Sequence, residues 1–139
     1  MGILSRLFSS PKKPRVDDAA FGPIVYSDDS WVFTPPDANS GPMLIVEAGP
    51  AGPSDLQRAF YRQLQERLPA LCAASTTFIR QHESSYASRS FDLYSITVPT
   101  EPELDQDSFV LEFASDPDAT VIHRVEFAAG IPETYGEDD

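Results

Sequence analysis

Near the end of the chain, apolar and polar residues alternate with a period of two. In "FVLEF", Phe109, Leu111 and Phe113 fall on one side of an extended backbone, and Val110 and Glu112 on the other. In "VIHRVEF", Val121, His123, Val125 and Phe127 share one side, and Ile122, Arg124 and Glu126 the other. That period belongs to strands with one covered face. An antiparallel pair keeps like faces together, which sets Phe113 against His123, Leu111 against Val125 and Phe109 against Phe127. Asp116 to Thr120 then form the turn. Glu112 lies opposite Arg124 on the outer face, a charge pair of ~0.2–1 kcal/mol. On this register the His123 imidazole points into the apolar layer beneath the sheet.

The same pattern predicts the remaining elements. "PIVYSDDSWVF" reads as a hairpin about the polar stretch Ser27-Asp28-Asp29-Ser30. "MLIVEAG", from Met43 to Gly49, is a nearly continuous apolar run suited to a central strand, and Phe91 to Val98 is rich in β-branched and aromatic residues. After Gly130, residues Ile131 to Tyr135 form a weak edge strand that carries Pro132. Between the strands lies a helical region. It opens on a capping box, Ser54 with Gln57, and continues in an apolar stripe of Leu56, Phe60, Leu64, Leu68, Leu71, Ser75 and Phe78. Pro69 either kinks one helix or starts a second, but the stripe stays in phase across it, which predicts near-continuity.

The predicted order is ββ-β-α(α)-β-β-(β). Segregated strands and helices define an α+β fold. We expect a mostly antiparallel sheet of five to six strands with one kinked helix or two consecutive helices packed on one face. Residues 1–20 read as a basic, amphipathic arm, 21–135 as one domain and 136–139 as an acidic tail. In the arm, Ile3, Leu4, Leu7 and Phe8 can share one helical stripe before "SSPKKPR" stops it. A short membrane-surface anchor over residues 1–15, a frayed terminus and a segment docked on its own domain all fit this pattern.

Charge narrows the partners. The formal net charge is −12, yet Arg6, Lys12, Lys13 and Arg15 crowd the first fifteen residues. From Val16 onward six arginines face twenty-two acids, a net −16, with no lysine. Such a body repels nucleic acid and anionic lipid and favours basic proteins. Aromatic and basic residues do not interleave, so no nucleic-acid footprint is present. The single Cys72 cannot close an internal disulfide, which suits a reducing compartment. The chain has no apolar run of about 18 residues. It also lacks a long apolar secretory core and the Ser or Thr that myristoylation needs where Arg6 stands. We expect a cytoplasmic protein.

Candidate chemistry is sparse. His82 and Cys72 read as a helix-end residue and a structural thiol, and two histidines and one cysteine far apart match no metal-ligand spacing. Glu101, Glu103, Asp105 and Asp107 alternate, but lack the glycine and distal glutamate of a calcium loop. No nucleophile elbow or phosphate loop occurs. We expect no catalytic residue, cofactor or metal.

The stretch "FVLEF…VIHRVEF", the Gly130-Ile131-Pro132 turn and the terminal aspartates resemble small α+β bacterial proteins of uncharacterised families, some of them immunity proteins encoded beside polymorphic toxins. The resemblance spans residues 91–139. It implies a non-catalytic domain that binds a toxin, and acidity would suit a basic target such as a nuclease. The leading expectation is therefore a non-enzymatic domain for a basic protein partner, with Glu101, Glu103, Asp105, Asp107, Asp116, Asp118 and the terminal acids as its surface. The competing expectations are a small-molecule or enzymatic site in a helix–sheet cleft near His123 and a peripheral membrane adaptor through residues 1–15.

Overall fold

A computed structural model describes residues 13–37, 40–102, 109–115 and 121–138. The fold is α+β, with one long helix against an eight-stranded sheet. The first four strands are β1 (Arg15–Asp18), β2 (Gly22–Ser27), β3 (Ser30–Phe33) and β4 (Met43–Glu47). Helix α1 (Asp55–His82) follows, with a short 3-10 turn at Ser84–Tyr86. The chain then forms β5 (Phe91–Val98), β6 (Phe109–Ser115), β7 (Ile122–Ala128) and β8 (Ile131–Asp138).

Strand order in space equals order in sequence. Every neighbouring pair is antiparallel except β4 and β5, which run parallel, with α1 as the crossover between them. Two antiparallel meanders of four strands are thus joined at one parallel seam. Parallel neighbours need a long connection, and the helix supplies it.

The register derived from alternation is the observed one. Phe109 pairs with Phe127, Leu111 with Val125, Phe113 with His123 and Glu112 with Arg124. The hairpin of β2 and β3 turns at Asp28 and Asp29, whose φ angles of 52° and 62° give the paired left-handed turn that suits twisted strands. Ala129 (φ 53°) and Gly130 (φ 73°) turn β7 into β8 the same way.

The sheet has eight strands where five to six were expected; β1 is new, and the weak edge strand expected over Ile131 to Tyr135 is longer than expected. β1 lies within residues read from sequence as arm, so the sheet begins at Arg15 and not near Phe21. Its "RVDD" is short and charged, and carries no apolar alternation to reveal it. β8 is a full strand that reaches Asp138, so three of the four tail residues belong to the sheet.

The helix crosses Pro69 without a break. Its stripe is shifted from the expected one. Phe60, Leu64, Leu71 and Ser75 are buried as the spacing demands, but Leu56 is 50% exposed, and Gln57, Tyr61 and Ile79 are buried instead. These side chains meet one face of the sheet, where Trp31, Val46, Ile96, Phe109, Leu111, Phe113, Val125 and Phe127 form the core. Phe109 stacks on Phe127 at 4.7 Å and takes the edge of Phe60 at 5.6 Å.

Pro69 is exposed and removes one helical hydrogen bond. Pro69→Ala should stabilise the protein by about 1–2 kcal/mol. Most of the helix-interior penalty is recovered, and the looser unfolded chain takes part of it back. A urea melt checks this, and no rise in the midpoint would contradict it.

Candidate functional site

Two regions warrant a chemical reading: the surroundings of His123, and the surface that holds the charge. His123 is the second residue of β7, the strand beside the β8 edge, and is 0% exposed. The edges of Tyr86 (4.6 Å between centroids) and Phe91 (5.2 Å) meet its ring, and Tyr135 stacks alongside at 6.0 Å. Tyr135 Oη donates to Glu137 Oε1 at 2.6 Å, so its oxygen is left to accept from His123 Nδ1 at 2.9 Å. This fixes the tautomer. Nδ1 carries the hydrogen, and Nε2 keeps a bare lone pair that has no partner among the described residues.

Burial holds the His123 imidazole below its ordinary pKa, and Arg89 adds to the shift while Glu137 and Glu83 oppose it. Burial together with the Glu137 hydrogen bond pushes the Tyr135 phenol well up. A neutral ring, a protonated phenol and a carboxylate thus form a static chain from core to surface. The ring's partner, Tyr135, lies on β8, a strand whose pairing the sequence expressed weakly.

The other groups weighed from sequence take no part in this chain of hydrogen bonds, although the His82 ring packs 5.8 Å from that of Tyr135. His82, at the end of α1, is exposed, and its Nδ1 donates to the Phe78 carbonyl at 3.0 Å. Cys72 is half-buried, and burial pushes its thiol up, away from the reactive thiolate. Trp31 belongs to the core, with Nε1 bonded to the Gly49 carbonyl at 2.8 Å. Among the described residues, no three His, Cys, Asp or Glu side chains converge on a metal position.

Near the start of the sheet, Asp18 is an almost fully buried carboxylate. Its Oδ1 accepts from the amides of Ala20 (2.8 Å) and Phe21 (3.1 Å), and its Oδ2 accepts from both Nε and an amino group of Arg58 at 2.8 Å. Burial alone would raise this carboxyl, but the Ala20 amide, Arg58 and the Phe21 amide together hold it below the usual range. The network ties β1 to the first turn of the helix and contains no reactive group.

Most of the loop acids expected to form the acidic surface fall outside the described residues. Of the six loop acids singled out, Glu101 is described and exposed. Glu103, Asp105, Asp107, Asp116 and Asp118 lie outside the described residues, as do residues 1–12 of the arm.

The net charge is concentrated in the last part of the sequence. Residues 1–90 hold nine acidic and nine basic residues, which cancel; residues 91–139 hold thirteen acidic residues and one arginine, a net −12. The second meander, β5 to β8, thus carries the entire formal charge. Asp92, Glu126, Glu133, Glu137 and Asp138 are exposed on it. Its one cation is engaged, since Arg124 bonds Asp138 at 2.6 Å and approaches Glu112 at 3.8 Å. Glu112 also accepts from the Ser95 hydroxyl at 2.6 Å. A division of the sequence at Val16 conceals this segregation; division at the crossover helix reveals it.

No described helix is long and apolar enough to cross a membrane. Comparison with protein-family models, with curated proteins and with solved structures gives no match.

Proposed function

We propose that the chain is a non-enzymatic binding domain that offers the acidic meander β5–β8 to a basic protein partner. The observation that carries this reading is that residues 91–139, the segment that supplies β5 to β8 and their connections, hold all the net charge. Like charges held together repel one another, and a basic surface relieves the repulsion while it accelerates encounter. β8 adds a second support. It is the last strand of the sheet, so its outer backbone edge has no neighbouring strand among the described residues, and Glu133, Glu137 and Asp138 lie along it. Such an edge can accept an added strand.

The likeness of residues 91–139 to immunity proteins points to the same partner class, a basic toxin such as a nuclease. The cytoplasm, where Cys72 would stay reduced, is the compartment this reading implies. His123 supports a non-catalytic role, because no solvent reaches the ring and its one polar contact is spent on Tyr135.

The test compares the wild-type chain with a variant bearing Asp92→Asn, Glu101→Gln, Glu126→Gln and Glu133→Gln, none of which contributes to the core. Each is immobilised and presented with extract from the native source at low salt. The wild type should retain a strongly basic protein that about 0.5 M salt releases, because screening then reaches within a few ångströms. The variant should retain at least tenfold less of it. Retention of neutral or acidic proteins only, or equal retention by the variant, would reject the proposal.

A further inference from the structure

One face of the sheet points away from α1. On it a single cross-strand row runs Arg15, Val25, Val32, Ile45, Thr97, Val110, Glu126, Thr134, each residue directly opposite the next. None of these residues belongs to the core beneath the helix. The members from Val25 to Val110 are β-branched and half-buried, and form a stripe of the kind that lines the inner face of a sandwich of two sheets.

We propose that this face pairs two copies of the chain about a two-fold axis parallel to the strands, so that the row of one copy lies on the row of the other in reverse order. Three observations select a second copy as the occupant. The first is the chemistry at the two ends of the row. Lys13 and Arg15 line an open hollow of about 470 Å³ together with Pro23, Val25, Ser27, Val32 and Thr34. Lys13 is held there by its hydrogen bond to the Ser27 hydroxyl at 3.1 Å. Toward the other end stands Glu126, which is exposed. The nearby cation Arg124 is engaged by Asp138 and Glu112, which leaves Glu126 without an ion pair among the described residues. Reversal sets Glu126, seventh in the row, against Val25, second in the row. Each Glu126 then enters the hollow of the other copy between Lys13 and Arg15. Val32 meets Val110, and Ile45 meets Thr97 beside the axis.

The second is the distribution of charge along the sheet. Two orientations of a two-fold axis can lay this face on itself. An axis along the row stacks each half of the sheet on its own counterpart, so that residues 91–139, with a net −12, oppose the same −12. An axis along the strands sets that half against the half built from residues 1–90, whose charges cancel. Opposite signs at the two ends also disfavour other occupants. A basic protein would meet Lys13 and Arg15, and an acidic one would meet Glu126.

The third is area. Seven strand spacings and strands of five residues make a face of roughly 34 Å by 17 Å. Two copies bury about 1,200 Å² between them, the lower limit of a specific interface. The pair should therefore dissociate on dilution. The β8 edge and Glu137, which lies on the helix side beside His123, stay outside the contact, so the pairing does not depend on the basic partner proposed above.

The test is sedimentation equilibrium of the purified full chain. At about 150 mM salt, which screens distant repulsion, the wild type should be mostly dimeric at about 200 µM and monomeric when diluted a hundredfold. Glu126→Arg, and separately Lys13→Glu with Arg15→Glu, should each weaken the dimer at least tenfold, because like charges then meet across the contact. All three positions are exposed. The three substitutions together in one chain exchange the two ends of the row, and should restore the dimer to within about threefold of wild type. A wild-type chain that stays monomeric at 200 µM overturns the proposal. So does a dimer that the charge reversals leave intact, a ladder of larger oligomers, or a triple variant that fails to recover.

Discussion

Gln57→Ala should cost about 3 kcal/mol of folding stability, far more than an ordinary change at a helix N-terminus. The wild-type side chain is 1% exposed and every polar atom in it is used. Its Oε1 accepts from the Ser54 amide at 3.0 Å, which closes the capping box. Its Nε2 donates to the Glu47 carbonyl at 2.8 Å and the Pro99 carbonyl at 2.9 Å. Glu47 is the last residue of β4 and Pro99 follows the last residue of β5, so one amide group clamps both members of the parallel seam to the helix. Truncation strands one donor and two acceptors, each worth about 1–3 kcal/mol where water cannot replace the partner. Solvent reaches part of this site, so the expected sum is at the lower end. Gln57→Glu tests the mechanism. A carboxylate keeps the contact with Ser54 but has no hydrogen for either carbonyl, and should cost nearly as much as alanine. Urea melts measure both variants; a loss below about 1 kcal/mol for each would show that the clamp is idle.

The second large effect concerns His123. His123→Ala should cost about 3 kcal/mol, because it leaves a cavity among Tyr86, Phe91 and Phe113 and strips Tyr135 of a donor. His123→Phe should fall within about 1 kcal/mol of wild type, because it fills the space and removes the unpartnered Nε2 together with the lost hydrogen bond. It should also leave capture of the basic partner unchanged. The wild-type ring makes stability depend on pH. Its folded pKa lies below the ordinary value of 6.5, so the unfolded chain binds the extra proton first. The contribution is complete above pH 6.5 and declines as pH falls from there toward the lowered value. Asp18 acts in a separate window, since its depressed carboxyl pKa makes a contribution that is lost only below about pH 3.8. Melts at pH 7.5, 6.5 and 5.5 should therefore decline for wild type and be flatter for His123→Phe. Parallel slopes would refute the account of the imidazole.

These two residues also mark how far the sequence could be read. The capping box at Ser54 and Gln57 was legible because its members are three residues apart. The second role of Gln57 was not, since its carbonyl partners lie 10 and 42 residues away and become neighbours only when β4 and β5 align. Its burial also explains the misplaced Leu56, whose phase fits the stripe although it projects into solvent. His123 was placed correctly because its neighbours on both strands alternate cleanly. Its partner Tyr135 was missed because Pro132 and the surrounding acids made β8 look weaker than it is. β1 escaped notice because a four-residue edge strand of charged residues has no periodicity to detect. Of the candidate surface, the acidity was evident in the composition, whereas its partition became visible only once the crossover helix divided the sheet into two halves.

The topology carries a kinetic consequence. Seven strand contacts hold the sheet together, and six of them join sequence neighbours through short or moderate connections. Only the β4–β5 contact brings together residues such as Met43 and Ser95, some fifty positions apart. Local hairpins form in microseconds, while a closure of that span pays its entropy before any contact rewards it. The rate-limiting event in folding should be the meeting of two preformed halves. Substitution of Ile45 or Thr97 should then slow refolding, whereas a comparable change at Val16 in the outermost hairpin should chiefly hasten unfolding.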